Sequence, residues 1–288
     1  MKPVKIITDS TVDFPKDISV KYDIEIVPLT ITLGDRSFLD YYDVSNNDYY
    51  AMLRASTIFP KTAQPSPQLF VEAYRRYAHT HTILSFHISS KLSGTYQSAM
   101  LAHSMLPDAD IHVIDSKQAS LGLGLFTITI AKAIAAGQPL EHLLELTRTL
   151  PDRIQTYFCV DSLEHLKCGG RIGKAQALLG TLMKIRPLLK LEDGEIQPLE
   201  KVRTTERLLA RLQEILADAA KASTSVKCTI VGTDNTAIVD SIRGKATGLP
   251  NVAIEYTCQL GGVITSHVGP EAFGLSFFSE NTAKQEGI

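Results

Sequence analysis

No run in the 288 residues is long and apolar enough to read as a membrane span. The longest candidate, Leu121 to Ala136, contains Gly122, Gly124 and Lys132. It is shorter than the roughly 20 apolar residues that a bilayer core requires, so it reads as a buried helix. Met1 to Ser10 lacks the apolar stretch of a signal peptide. Only four cysteines occur, Cys159, Cys168, Cys228 and Cys258, with no Cys-x-x-Cys spacing to suggest a zinc site. Cys159, Cys228 and Cys258 lie in strand-like apolar runs, where a reduced, buried thiol is the ordinary state. His79 and His81 have no partner at metal-ligand spacing, so no metal is expected. An excess of one charge is missing too. Lys plus Arg is 29 against 31 Asp plus Glu, a formal net charge of −2, which argues against general nucleic-acid or anionic-membrane binding. No phosphate loop ending in Gly-Lys-Ser/Thr, no Gly-x-Ser-x-Gly elbow and no Ser-x-x-Lys motif is found. The expectation is a soluble cytoplasmic protein with no cofactor.

What is present is alternation of strand and helix. Val4 to Thr8 reads as a buried strand, followed by a helix from about Pro15 to Tyr22 and a second strand region over Ile24 to Leu33. Ser45 with Asp48 makes something close to a capping box. His81 to Ile88 and Ile111 to Ile114 are further strands, with a helix from about Ser93 to Met105 between them. This order predicts a parallel sheet covered on both faces, with ligands beyond the carboxyl ends of its strands. Attention therefore falls on Thr8 to Ser10, Ser89 to Thr95, and Asp115 with Ser116.

After Arg153 the pattern changes. Ile154 to Val160 is strand-like, and Asp161 to Lys167 is a short helix stopped by Gly169 and Gly170. Ile185 to Leu191 and Glu195 to Pro198 flank Glu192-Asp193-Gly194, a hairpin signal. Thr204 to Ala222 is amphipathic, and Cys228 to Gly232, Val252 to Tyr256 and Phe273 to Phe278 are strands. The fold class is α/β in two domains. Residues 1–160 form a three-layer α/β/α domain with a parallel sheet, and 161–288 a smaller two-layer α/β domain with a mixed sheet.

Four stretches invite a functional reading, each beside a plain structural one. Ser89 to Tyr96, with Ser93, Gly94 and Thr95, is an anion cradle at a helix N-terminus or merely an N-cap. Thr62-Ala63-Gln64-Pro65-Ser66-Pro67 is a stiff loop that aims Thr62, or only a helix start. Lys167 to Gly173 is a glycine-rich turn whose Arg171 suits a carboxylate or phosphate, or a helix C-cap. Ser266 to Pro270 is a turn whose His267 titrates near neutrality and reaches an anion, or has no role.

Together these stretches resemble the DegV family of fatty-acid-binding proteins. The resemblance runs through Ile7 to Thr11, Thr62 to Pro67, Ile88 to Tyr96, Leu163 to Ile172, Asp193 to Ile196, Lys201 to Arg203 and Ser266 to Pro270, in order over nearly the whole chain. Ala63 stands where the family commonly has serine, and Cys168 where lysine is frequent. The resemblance implies a long-chain fatty acid such as palmitate, stearate or oleate lying between the two domains. It implies that Thr62 and Ser93 hold the carboxylate, with Gly94, Thr95, Arg171 and His267 near the head group. In bacteria with the pathway, such proteins present the acid to a dihydroxyacetone-kinase-like fatty acid kinase for acyl-phosphate formation in phospholipid metabolism. Arg203 would then suit docking of that kinase. The alternatives are a small-molecule phosphotransferase related to dihydroxyacetone kinase, for which only Asp9 and Asp115 offer acidic ligands, and an interaction module with no buried ligand.

Overall fold

Parallel pairing organises the first half of the chain in the computed structural model of this protein, which describes residues 2–179, 186–234 and 236–280. Strands β1 (Val4–Asp9), β2 (Glu25–Val27), β3 (Thr30–Leu33), β4 (Arg36–Leu39), β5 (Lys61–Ala63), β6 (Thr82–His87) and β7 (Ile111–Asp115) follow in chain order. Four of them form a parallel sheet in the order β2-β1-β6-β7. β6 is buried along its whole length, as a parallel strand covered on both faces must be.

The second strand region expected over Ile24 to Leu33 holds two strands, which belong to two different sheets. β2 ends at Val27, Pro28 intervenes, and β3 starts a separate three-stranded antiparallel sheet between β4 and β5. Proline has no N–H for the ladder and restricts the residue before it, so the strand breaks there. That small sheet is what carries Thr62, which pairs with Ile31.

The second half forms a six-stranded mixed sheet from β8 (Gln155–Cys159), β9 (Arg186–Glu192), β10 (Glu195–Val202), β11 (Ser225–Gly232), β12 (Val252–Gln259) and β13 (Phe273–Glu280). Its order is β10-β9-β8-β13-β11-β12, and only β11 and β12 are parallel. The expected hairpin closes at Asp193 (φ 50) and Gly194 (φ 76), two left-handed residues as a tight twisted turn needs. Ile185, the expected start of β9, lies outside the described residues. Helices Thr205–Lys221 and Thr236–Thr247 cover one face of this sheet through Leu208, Leu212, Leu216 and Ile242.

Helix Leu121–Ala135 joins the two halves. On one side Phe126 and its neighbours pack on Ile6, Leu84 and Phe86 of the parallel sheet, and on the other on Tyr256 and Phe278 of the mixed sheet. A helix covered on both sides has no polar stripe, which is why the sequence reads as an unbroken greasy run. Helices Pro67–Arg75 and Thr95–Ser104 cover the opposite face of the parallel sheet with Phe70, Tyr74 and Ala99.

Close approach is what Gly122 and Gly124 provide. A methyl at Gly122 would stand 2.6 Å from Thr156 Oγ1, and one at Gly124 would stand 2.6 Å from the Val12 carbonyl oxygen and collide with the Tyr256 hydroxyl. Because one obstacle at Gly124 is backbone, Gly124→Ala is expected to cost about 1–3 kcal/mol despite alanine's better helix propensity. Urea unfolding checks it; a variant as stable as the parent would contradict this packing.

Candidate functional site

A cavity lies between the carboxyl ends of the parallel strands and the inner face of the mixed sheet. It encloses about 820 Å³ of empty space, counting the solvent at its mouth. Sixteen of its 22 lining residues are apolar. Leu29 and Ile88 come from beyond β2 and β6, Phe158 and Leu191 from the mixed sheet, and Val263 and Ile264 from the short helix Gly262–Val268. The polar residues in the wall are Thr62, Ser93, Ser120, Thr156, Arg171 and His267.

Four of these six are the residues read from the sequence. Thr62 Oγ1 lies 2.8 Å from His267 Nε2, across 205 positions of sequence. Gln64, two residues on, lies against Gly94, where a methyl would collide with its side-chain amide, and donates to Ser98 Oγ at 3.0 Å. Gly94 thus lets the Thr62 strand pack across the start of helix Thr95–Ser104. That helix begins two residues later than expected, with Gly94 as N-cap and no side-chain cap. Ser93 Oγ lies 2.8 Å from Thr95 Oγ1 and accepts from the Thr95 N–H at 3.3 Å. Thr95 is fully buried and supports Ser93 from behind the wall.

Arg171 braces the wall. Its Nε donates to the Leu92 carbonyl at 2.9 Å and its Nη1 to the Gly169 carbonyl at 2.6 Å, tying the Ser93 loop to the glycine-rich turn. His267 is not in a turn, as the sequence suggested, but in the last turn of helix Gly262–Val268, which ends at Gly269 (φ 87). So short a helix, opened by Gly261 and Gly262, leaves too little periodicity to read. Gly169 packs against His267, and a methyl there would collide with Nδ1.

The electrostatics of this end are those of a dry pocket. Burial first, then the Arg171 and His165 charges, push His267 down to about 4, so its ring is neutral at pH 7. His267 Nδ1 is buried without a hydrogen-bond partner. Placing the ring proton on Nε2 gives that N–H the Thr62 oxygen as acceptor and avoids an orphaned buried donor. The Thr62 hydroxyl hydrogen is then free to point into the cavity.

Other expected positions lie elsewhere. Arg203 is exposed at the end of β10, outside the cavity wall. Asp9 is fully buried and saturated. It accepts from the Thr11 N–H and hydroxyl (3.1 and 2.5 Å) and from the Ile88 N–H (3.0 Å), and contacts His87 Nδ1 at 3.1 Å. Asp115 accepts from the N–H groups of Ser90 and Lys117. Among the described residues no three His, Cys, Asp or Glu side chains cluster as a metal site, and no helix is long and apolar enough to cross a membrane. Ser120 and Thr156 were missed, because nothing in their local pattern sets them apart from other loop and strand hydroxyls.

The chain matches the DegV family model, described as an uncharacterised protein of that family, over residues 3–280. A DegV domain-containing protein of Halalkalibacterium halodurans is 34% identical over 286 residues, covering 97% of this chain and 100% of that protein. The solved structure of a Thermus thermophilus DegV family protein, described as fatty acid binding, superposes with a TM-score of 0.91 at 33% identity, covering 97% of this chain and 100% of that one. A stearic acid-binding protein of Eubacterium ventriosum superposes with a TM-score of 0.86 at 26% identity, covering 96% and 98%.

The neutral state of His267 can be measured directly. Its folded-state pKa lies below the ordinary 6.5, so its contribution to stability is present above that pH and lost as pH falls toward about 4. In an NMR titration its imidazole should remain neutral at pH 5, and His267→Gln should remove this part of the acid-side loss. A His267 midpoint near 6.5 would contradict the buried assignment.

Proposed function

The chain belongs to the DegV family, and from that membership and the apolar cavity we propose that it binds a long-chain fatty acid between its sheets and presents the carboxylate to a separate fatty acid kinase. The observation that carries the reading is the cavity itself, an apolar slot whose polar residues include the Thr62–His267 pair, Ser93 and Arg171. Its solved relatives described as fatty acid binding support the choice of ligand.

The energetics fit a carrier. Burying about fourteen methylenes at ~0.8 kcal/mol each gives roughly 11 kcal/mol of gross gain. Several kcal/mol are lost to immobilisation and head-group desolvation. The head group therefore needs donors to avoid a penalty and to fix its direction, which is the role given to the Thr62 and Ser93 hydroxyls. Arg171 and neutral His267 sit where negative charge grows as an acyl phosphate forms. Arg203, exposed and away from the cavity, is left for docking the kinase. The phosphotransferase alternative is weakened, because both oxygens of Asp9 are taken up by donors around the strand ends and one oxygen of Asp115 caps the N–H groups of Ser90 and Lys117.

Organic extracts of the purified protein, analysed by mass spectrometry, should contain one long-chain fatty acid per chain. Thr62→Ala and Ser93→Ala should each weaken retention by only about 0.5–1.5 kcal/mol, one neutral hydrogen bond's worth. No lipid in the extract and no uptake of added oleate by delipidated protein would end the carrier reading.

A coupled assay with a cognate kinase separates holding from handing on. Arg203→Ala should keep its lipid yet slow acyl-phosphate formation, and Arg171→Ala should lower turnover more than binding. An Arg203→Ala protein that lost its lipid but turned over normally when resupplied would reverse the roles.

A further inference from the structure

Two carboxyl groups beside the cavity have no part in the reading so far. Asp13 ends the turn Ser10–Val12 in left-handed geometry (φ 39), and Asp40 follows β4. Their exposures are 5% and 3%. Asp13 Oδ2 accepts from the Ser120 hydroxyl at 2.7 Å, and Asp40 Oδ1 accepts from the Gly262 N–H at 3.1 Å. The remaining oxygens, Asp13 Oδ1 and Asp40 Oδ2, are buried with no partner at hydrogen-bond distance, and the nearest donors around the pair are the Ser10 hydroxyl and the N–H groups of Tyr41, Gly261 and Val263. Both oxygens face Gly261, where a methyl would collide with the first and stand 3.9 Å from the second.

No positive charge answers them. Among the described residues neither carboxylate has a lysine, arginine or histidine within ion-pair distance. The titratable groups facing the pair are Asp9, Tyr49 and Tyr50 from helix Asn46–Ala55, and Tyr256 and Cys258 from β12, none of them cationic. Burial raises both acids, Asp40 to about 6 and Asp13 well above its ordinary value, with the nearby Asp40 charge adding to Asp13. Two bare charges here would repel in a dry site, whereas one proton leaves a single charge for the surrounding donors.

The pair also sits where the backbone is strained. Asp13, Tyr41 (φ 74) and Ser120 (φ 52, ψ −128) are non-glycine residues at positive φ, held there only if their surroundings over-determine them. Ser120 is part of the cavity wall and N-caps the central helix, and Gly262 opens the helix that carries His267. We propose that this uncompensated pair keeps one proton at neutral pH, and that it latches the inner wall of the cavity by fixing Ser120 and Gly262. The effect on ligand retention rests on the fatty-acid reading above; the retained proton does not.

Infrared spectra of the full, ligand-free chain at pH 7 test the proton. The parent should show the carbonyl band of a protonated carboxylic acid, and Asp13→Asn should lose it. Because raised pKa values favour the protonated native state, Asp40's contribution to stability is present below its unfolded value of 3.8 and lost as pH rises through about 6. Asp40→Asn should remove that slope in urea midpoints. For retention, with oleate as the probe, Asp13→Asn should stay within about twofold of the parent, since an amide oxygen can still accept from the Ser120 hydroxyl. Asp13→Ala and Asp40→Ala should lose about tenfold or more by leaving a buried partner unpaired, and failure of both to fold while Asp13→Asn folds supports the latch equally. No protonated-acid band in the parent, or a melting temperature that climbs with Na⁺ or K⁺ at fixed ionic strength, would overturn the proposal by putting two charges or a metal cation there. A band present in a chain that takes up no oleate would sink the binding reading and leave the proton pair standing.

Discussion

The helix Leu121–Ala135 has a sheet on each side, and this double burial constrains every element around it. A helix so placed carries no outward polar face, and it needs Gly122 and Gly124 where Thr156, Tyr256 and the Val12 carbonyl press close. Its first turn stands at the cavity. Ala119, Ser120 and Leu121 there become wall residues of the cavity. The cavity is therefore a consequence of how the two sheets share one helix, and its apolar character is inherited from the same packing.

Placing a polar head group in such a space is a problem of donors more than of charge. A buried ion pair pays heavily for desolvation, while hydroxyls and a neutral imidazole pay less and still satisfy an anion. The wall follows that logic. Thr62, Ser93 and neutral His267 are among the polar groups of the wall, and Arg171 has bonds to the carbonyls of Leu92 and Gly169, so that its fork braces two loops beside the cavity. A proposed ligand held in this way is bound mainly by its chain and oriented by its head, which suits a protein that hands its cargo to another.

What could be read from the sequence depended on how local the cause was. The capping of helix Asn46–Ala55 by Ser45 and of Pro67–Arg75 by Ser66 is written within four residues in each case. The hairpin at Asp193 and Gly194 is equally local. By contrast, the break at Pro28 separates two sheets whose partners lie far away in sequence, and the helix bearing His267 is only seven residues long. Thr62 and His267, 205 positions apart, were brought together by resemblance to a family and by no spacing rule. Ser120, Thr156 and the Asp13–Asp40 pair had no signal at all, since their significance comes from burial and from what faces them.

The most direct test of the account is a crystal structure of the full chain loaded with stearate. The acyl chain should run through the cavity against Leu29, Phe158 and Val263, with its carboxylate within hydrogen-bond distance of Thr62 Oγ1 and Ser93 Oγ and with His267 Nε2 still on Thr62. A carboxylate turned to solvent away from Thr62 and Ser93, or a stearate bound outside this cavity, would contradict it.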